Sequence, residues 1–168
     1  MPAINIHALS TRLRTRPLCL DDVDALLAFC RCNTQFYAYC GKEPSAELIR
    51  QDLTLTPPGI PPEQKYYFGF FDGDTLLAVM DLVAGYPQDD CAFIGFFMMN
   101  HAMQGKGIGS AIITEALDSL KSQGFCLCRL GIDKDNPQSN HFWRKNGFRV
   151  IREVQRDNGV ILLAERLL

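Results

Sequence analysis

The sequence predicts an α/β fold of the mixed, α+β kind, in which helices pack against one sheet. Three observations carry this. Residues 91–124 run from a nearly continuous apolar segment through a glycine-dense turn into an amphipathic helical pattern. Residues 66–83 and 148–167 each read as two strands joined at a turn, Asp72-Gly73-Asp74 in the first and Asp157-Asn158-Gly159 in the second. Ahead of them, Val23, Leu26, Leu27 and Cys30 stand at i, i+3, i+4 and i+7, the spacing of a helix with one buried face.

In chain order, residues 12–16 alternate (Arg-Leu-Arg-Thr-Arg) and predict a strand closed by Pro17. Asp21 and Asp22 open the first helix, where negative charge suits the helix dipole. Residues 33–43 hold Phe36, Tyr37 and Tyr39 without clear periodicity. A second, shorter helix starts near Pro44-Ser45 and carries Leu48, Ile49 and Leu53. It stops before Thr56-Pro-Pro-Gly-Ile-Pro-Pro62, which cannot be regular structure and reads as a surface loop. The first hairpin follows. The strand at 91–99 is apolar on both faces, so it is expected to be central and covered on both sides. The helix after Gly107 carries Ile108, Ile112, Ala116 and Leu120 on one stripe and stops at Gly124. A strand at 125–133, a short helix from Pro137 to Asn146 and the second hairpin complete the chain.

The 168 residues predict a single domain, 1–168, large enough for a core without disulfides. Seventeen Lys and Arg against nineteen Asp and Glu leave a net charge of −2, which argues against a general nucleic-acid binder. Seven cysteines include the Cys-x-Cys pairs Cys30/Cys32 and Cys126/Cys128. On a strand each pair would share a face and pack as small apolar groups. No secretory signal pattern occurs, and no apolar run approaches the roughly 18–20 residues that cross a bilayer. The expectation is a reduced, cytoplasmic protein with no membrane association. Histidines at 7, 101 and 141 show no metal-ligand spacing, so no metal is expected.

The turn Gln104-Gly105-Lys106-Gly107-Ile108-Gly109-Ser110 opens a helix directly after a strand. The first N–H groups of a helix lack intrahelical partners and the dipole there is positive, so the position suits an anion. Glycines at 105, 107 and 109 let a ligand approach the backbone with no Cβ in the way. The stretch reads as a diphosphate cradle. Its spacing matches neither the Gly-x-Gly-x-x-Gly of dinucleotide folds nor the phosphate loop of nucleoside triphosphatases.

Residues 104–109 instead resemble the Gln/Arg-x-x-Gly-x-Gly/Ala motif of the GNAT acyltransferases. The order of elements resembles that family over nearly the whole chain. The resemblance implies a mixed, mostly antiparallel twisted sheet of about seven strands, with a parallel, splayed central pair and about four flanking helices. It also implies that acetyl-CoA is the cosubstrate. Its diphosphate would lie on Gln104 to Ser110, and its pantetheine arm would bond the main chain of Phe97, Met98 and Met99 in the gap between the splayed strands.

A second stretch, Asn136-Pro-Gln-Ser-Asn140-His-Phe-Trp143-Arg-Lys-Asn-Gly147-Phe148, resembles the family's Asn-x-x-Ala-x-x-Leu-Tyr-x-Lys-x-Gly-Phe. Asn136, Asn140 and Trp143 stand at i, i+4 and i+7 and share a helix face, where they could contact the cofactor. Asn136 reads also as a helix cap, and Trp143 as a core aromatic. The family usually has a tyrosine at the position of Trp143, whose hydroxyl protonates the leaving thiolate. Indole cannot supply that proton.

The implied reaction is transfer of the acetyl group to a primary amine of a small molecule or a peptide. Asp81, His101 and Asp133 are the candidates for the base that frees the amine. Each reads equally as an ordinary surface, turn or buried hydrogen-bonding residue. Phe36, Tyr37, Tyr39 and the proline-rich loop would shape the acceptor pocket, and pairing into a homodimer is a further expectation. Two other readings stay open, a catalytically weak acyl-CoA-binding sensor or interaction module and a nucleotide-binding protein unrelated to acyl transfer.

Overall fold

The computed structural model describes residues 2–168. Seven strands form one sheet: β1 (Arg14–Pro17), β2 (Lys65–Asp72), β3 (Thr75–Ala84), β4 (Cys91–Met99), β5 (Leu127–Asp133), β6 (Arg149–Arg156) and β7 (Gly159–Leu167). Five α-helices flank it: α1 (Val23–Arg31), α2 (Thr34–Cys40), α3 (Ala46–Thr54), α4 (Ile108–Ser122) and α5 (Pro137–Lys145). The spatial order of strands is β1-β2-β3-β4-β5-β7-β6. Among the described residues only β4 and β5 run parallel; every other neighbouring pair is antiparallel. The crossover between them is α4, as a parallel connection requires.

Strand β4 is central because its side chains are apolar on both faces. Ala92, Ile94 and Met99 join a core with Phe68, Met80, Ile113 and Leu117. Met98, with Phe96 packed against the cluster, joins a second core on the opposite face, which includes Leu26, Tyr37 and Ile49. Helices α1 to α3 thus cover one side of the sheet, and α4 and α5 the other.

The parallel pairing of β4 with β5 is short. It runs from Cys91–Leu127 to Ile94–Leu130 and stops. Beyond that point β4 continues to Met99 beside β3, and β5 continues to Asp133 beside β7. The two strands therefore part, and residues 95–99 present an edge with no strand partner on the β5 side among the described residues. A bulge marks the parting: Asp81 stands opposite Phe96 and Leu82 opposite Ile94, which leaves Gly95 as the extra residue.

Residues 34–40, which lack periodicity, fold as α2, which brings the α-helices among the described residues to five. Phe36 and Tyr37 drive this by packing edge to face, with centroids 5.1 Å apart, against the second core. Two expectations are corrected. Strand β1 begins at Arg14 and includes Pro17, whose missing N–H costs nothing on an edge strand. The Cys-x-Cys pairs do not share faces: Cys30 and Cys128 are buried, while Cys32 lies at the end of α1 and Cys126 ahead of β5, both exposed. Among the described residues, no helix is long and apolar enough to cross a membrane.

Candidate active site

A cavity of about 560 Å³ fills the gap between the parted strands. Its walls include Phe97 to Met99 of β4, Leu130, Gly131 and Asp133 of β5, and one face of α5. It reaches the glycine loop at one end and Phe36 and Tyr39 of α2 at the other.

The loop is built for close approach. Gly105 and Gly107 have φ of +74° and +78°, a left-handed backbone that only glycine adopts without cost. A Cβ at either would meet no described heavy atom within 4 Å, so both face open space. Gly109 differs: a Cβ there would lie 3.2 Å from Met99 and 3.3 Å from Phe142, so its role is to seat α4 against β4 and α5. The first i→i−4 bond of α4 runs from Ala111 N–H to the Gly107 carbonyl. The N–H groups of Ile108, Gly109 and Ser110 are therefore unclaimed by the helix. Ser110 Oγ accepts from Asn146 Nδ2 at 3.1 Å, which leaves its own proton free to donate.

Helix α5 supplies the facing wall. Asn136 Oδ1 accepts from Ser139 N–H at 3.0 Å and so caps the helix. The residue is only 4% exposed, yet it lines the cavity, and Nδ2 donates to no acceptor among the described residues. Capping and ligand contact are thus compatible. Trp143 is 6% exposed and also lines the cavity, wedged between Phe97 and Phe148 with ring centroids 5.9 and 5.2 Å away.

Not every residue singled out from the sequence lines the cavity. Asn140 does not line the cavity; its Nδ2 donates to the carbonyls of Asp133, Lys134 and Asn136 and ties β5 to α5. Lys106 and Ile108 flank the loop outside the lining, Lys106 exposed. Asp81 lines neither this cavity nor the smaller one beside it. It pairs with Lys65 at 2.7 Å, the lysine side chain being 5% exposed, and its Oδ1 is buried without a partner among the described residues. Burial pushes the Asp81 carboxyl above its ordinary value, with Lys65 pulling the other way. His101 lies in the turn after β4 and lines the large cavity.

Asp133 stands apart from these. The second cavity, of about 220 Å³, lies between α2–α3 and the β6–β7 hairpin. It shares Phe36, Cys40, Phe96, Asp133 and Ile161 with the large one. Of the three base candidates Asp133 alone is on both walls, at the C-terminal end of β5 where the cavities meet. Sequence reasoning missed Asn33, Asn146 and Asp52. Asn146 stands just before Gly147 and reads from the sequence only as a helix end; Asn33 and Asp52 carry no sequence signal that distinguishes them.

The fold is similar to that of several acetyltransferase structures. An acetyltransferase from Thermus thermophilus matches at 22% identity with a TM-score of 0.72, covering 100% of both chains. The PaiA N-acetyltransferase of Thermoplasma acidophilum, in complex with coenzyme A, matches at 20% identity and 0.66, covering 93% of this chain and 99% of that one. A GCN5-related N-acetyltransferase from Kribbella flavida matches at 23% and 0.64, covering 94% and 98%. By sequence alone, no curated protein matches the chain. The model of the acetyltransferase (GNAT) family matches residues 22–148, about three quarters of the chain. The chain belongs to that family and is an acyltransferase.

Proposed function

We propose that the protein transfers an acetyl group from acetyl-CoA to a primary amine by direct attack on the thioester. The observation that carries this reading is the passage between β4 and β5, which joins a glycine cradle on one side of the sheet to a separate small cavity on the other. Two reactants can enter from opposite faces and meet at the strand gap.

The residues present fit the cosubstrate. Gly105 and Gly107 leave open space where a side chain would stand, and unclaimed N–H groups at the start of α4 suit the diphosphate. Asn136 Nδ2 and the unpaired edge at Phe97, Met98 and Met99 suit the amides of the pantetheine arm. The neighbour from Thermoplasma acidophilum holds coenzyme A, which supports the same ligand here. When bound, acetyl-CoA supplies an activated acetyl thioester.

Asp133 accepts the proton that an ammonium must lose before its nitrogen can attack. A backbone N–H near Met98 or Met99 donates to the thioester oxygen as charge grows there, and the gap itself holds the partners in line. The C–N bond forms first, the C–S bond breaks as the carbonyl re-forms, and water relays the second proton of the attacking nitrogen to the departing sulfur, since Trp143 has none to give. All seven cysteines are free thiols, which suits a cytoplasmic setting.

The test is release of free CoA thiol on adding a panel of primary amines, with the product identified by mass spectrometry. Amine-dependent release with an N-acetylated product is expected. Binding of CoA without transfer to any amine would contradict the reading and favour a sensor.

A further inference from the structure

The 220 Å³ cavity carries more charge than one reacting amine can use. Its walls are aromatic in part, with Phe36, Tyr37 and Phe96 contributed by α2 and β4. Four charged residues complete it: Lys42, Asp52, Asp133 and Arg156. None of the four forms an ion pair among the described residues.

Their exposure differs. Lys42 and Arg156 are exposed on the rim, where water and salt screen them. Asp52, on α3, and Asp133, at the end of β5, are partly sheltered. A sheltered charge has lost part of its hydration, so it gains more from a partner than a rim charge does. Lys65, whose field also reaches Asp52, is already committed to Asp81 at 2.7 Å. Burial raises the Asp52 carboxyl above its ordinary value, with Lys65 and Lys42 pulling the other way.

Asp133 is occupied by its place at the junction, where it meets the reacting nitrogen. Asp52 lines only the small cavity and touches no part of the strand gap. It is left to bind something other than the amine that is acetylated. We infer that the acceptor is a small aliphatic amine carrying a second positive charge, with Asp52 receiving the distal cation, the aromatic walls the alkyl chain and Asp133 the reacting nitrogen. This rests on the acetyl-transfer reading above and narrows its substrate class.

The experiment compares three amines of matched length, butylamine, 1,4-diaminobutane and 4-aminobutyrate, with the wild-type protein and Asp52→Asn. Asparagine has the same size and shape, and circular dichroism with CoA titration verifies that the variant folds and binds. Wild type is expected to favour the diamine over the monoamine in kcat/KM by about tenfold, the scale of one sheltered charged hydrogen bond. Asp52→Asn should abolish that preference, the diamine losing about tenfold more than butylamine. Equal use of monoamine and diamine, equal losses on both in Asp52→Asn, or a preference for 4-aminobutyrate through Lys42 and Arg156 would each overturn the inference while leaving acetyl transfer intact. CoA binding with no turnover of any of the three would overturn the inference, and the wider amine panel then decides the acetyl-transfer reading.

Discussion

Gln104 Nε2 donates to Asn33 Oδ1 across 2.6 Å, so the glycine loop after β4 is tied to the junction of α1 and α2. Asn33 is 4% exposed and uses its other end as well, donating from Nδ2 to the Phe29 carbonyl at 3.1 Å. One buried amide thereby connects the helices beside the small cavity to the loop beneath the large one.

Asn33→Ala removes both bonds and leaves Gln104 unheld. It should lower stability by about 1–3 kcal/mol, the cost of stranding buried polar groups, and weaken CoA binding several-fold because the loop loses its anchor. Denaturant unfolding and calorimetric titration of CoA test this. An unchanged unfolding midpoint would show that the bond is not formed.

The resemblance of residues 136–148 to the family's motif would put Trp143 at the usual proton donor's position, and the pair of variants Trp143→Phe and Trp143→Tyr isolates a hydroxyl at that spot. Both lose similar packing against Phe97 and Phe148. The tyrosine variant is expected to exceed the phenylalanine variant in kcat by about 10²-fold, the low end of what general acid catalysis supplies. Equal kcat values would mean that the hydroxyl does not reach the sulfur, or that thiolate departure does not limit the rate.

The Lys65–Asp81 pair serves stability and gives a pH signature. Lys65→Met leaves a buried carboxylate alone and should cost about 3–5 kcal/mol near neutral pH. The double variant Lys65→Met with Asp81→Leu should recover most of that. Burial raises the Asp81 pKa, and loss of Lys65 removes the opposing pull. The folded state then holds the proton more tightly than the unfolded chain, whose value is about 3.9. Stability of the single variant relative to wild type is therefore best below the unfolded value and falls as pH rises through the folded one. Urea unfolding at pH 4 and pH 7 measures this. A deficit that grows as the pH is lowered would refute the assignment.

The central strand, the two hairpins and the glycine loop were legible because each rests on local chemistry, whereas the parallel pair entered only through the family resemblance. An apolar run such as 91–99 has to be buried on both sides, and Gly105 and Gly107 mark a backbone that other residues avoid. Helix α2 was not legible, since Phe36 and Tyr37 take their helical form from packing against β4 and its neighbours and not from periodicity. Asn140 misleads for a related reason. It does share the face of Asn136 and Trp143, but its amide turns to loop carbonyls that no spacing rule reveals. Asp52 becomes visible only when the hairpin at 156–161 folds opposite α3.

Titration of CoA into the wild-type protein and Gly107→Glu tests the cradle most directly. A glutamate Cβ at that position meets no described atom within 4 Å, but the side chain puts an anion in the cradle. The backbone there, with φ of +78°, costs roughly 1–2 kcal/mol for any residue other than glycine. Saturable binding to the wild type is predicted, and none to a variant that remains folded. Equal binding by both would place the diphosphate elsewhere and contradict the site assigned to it.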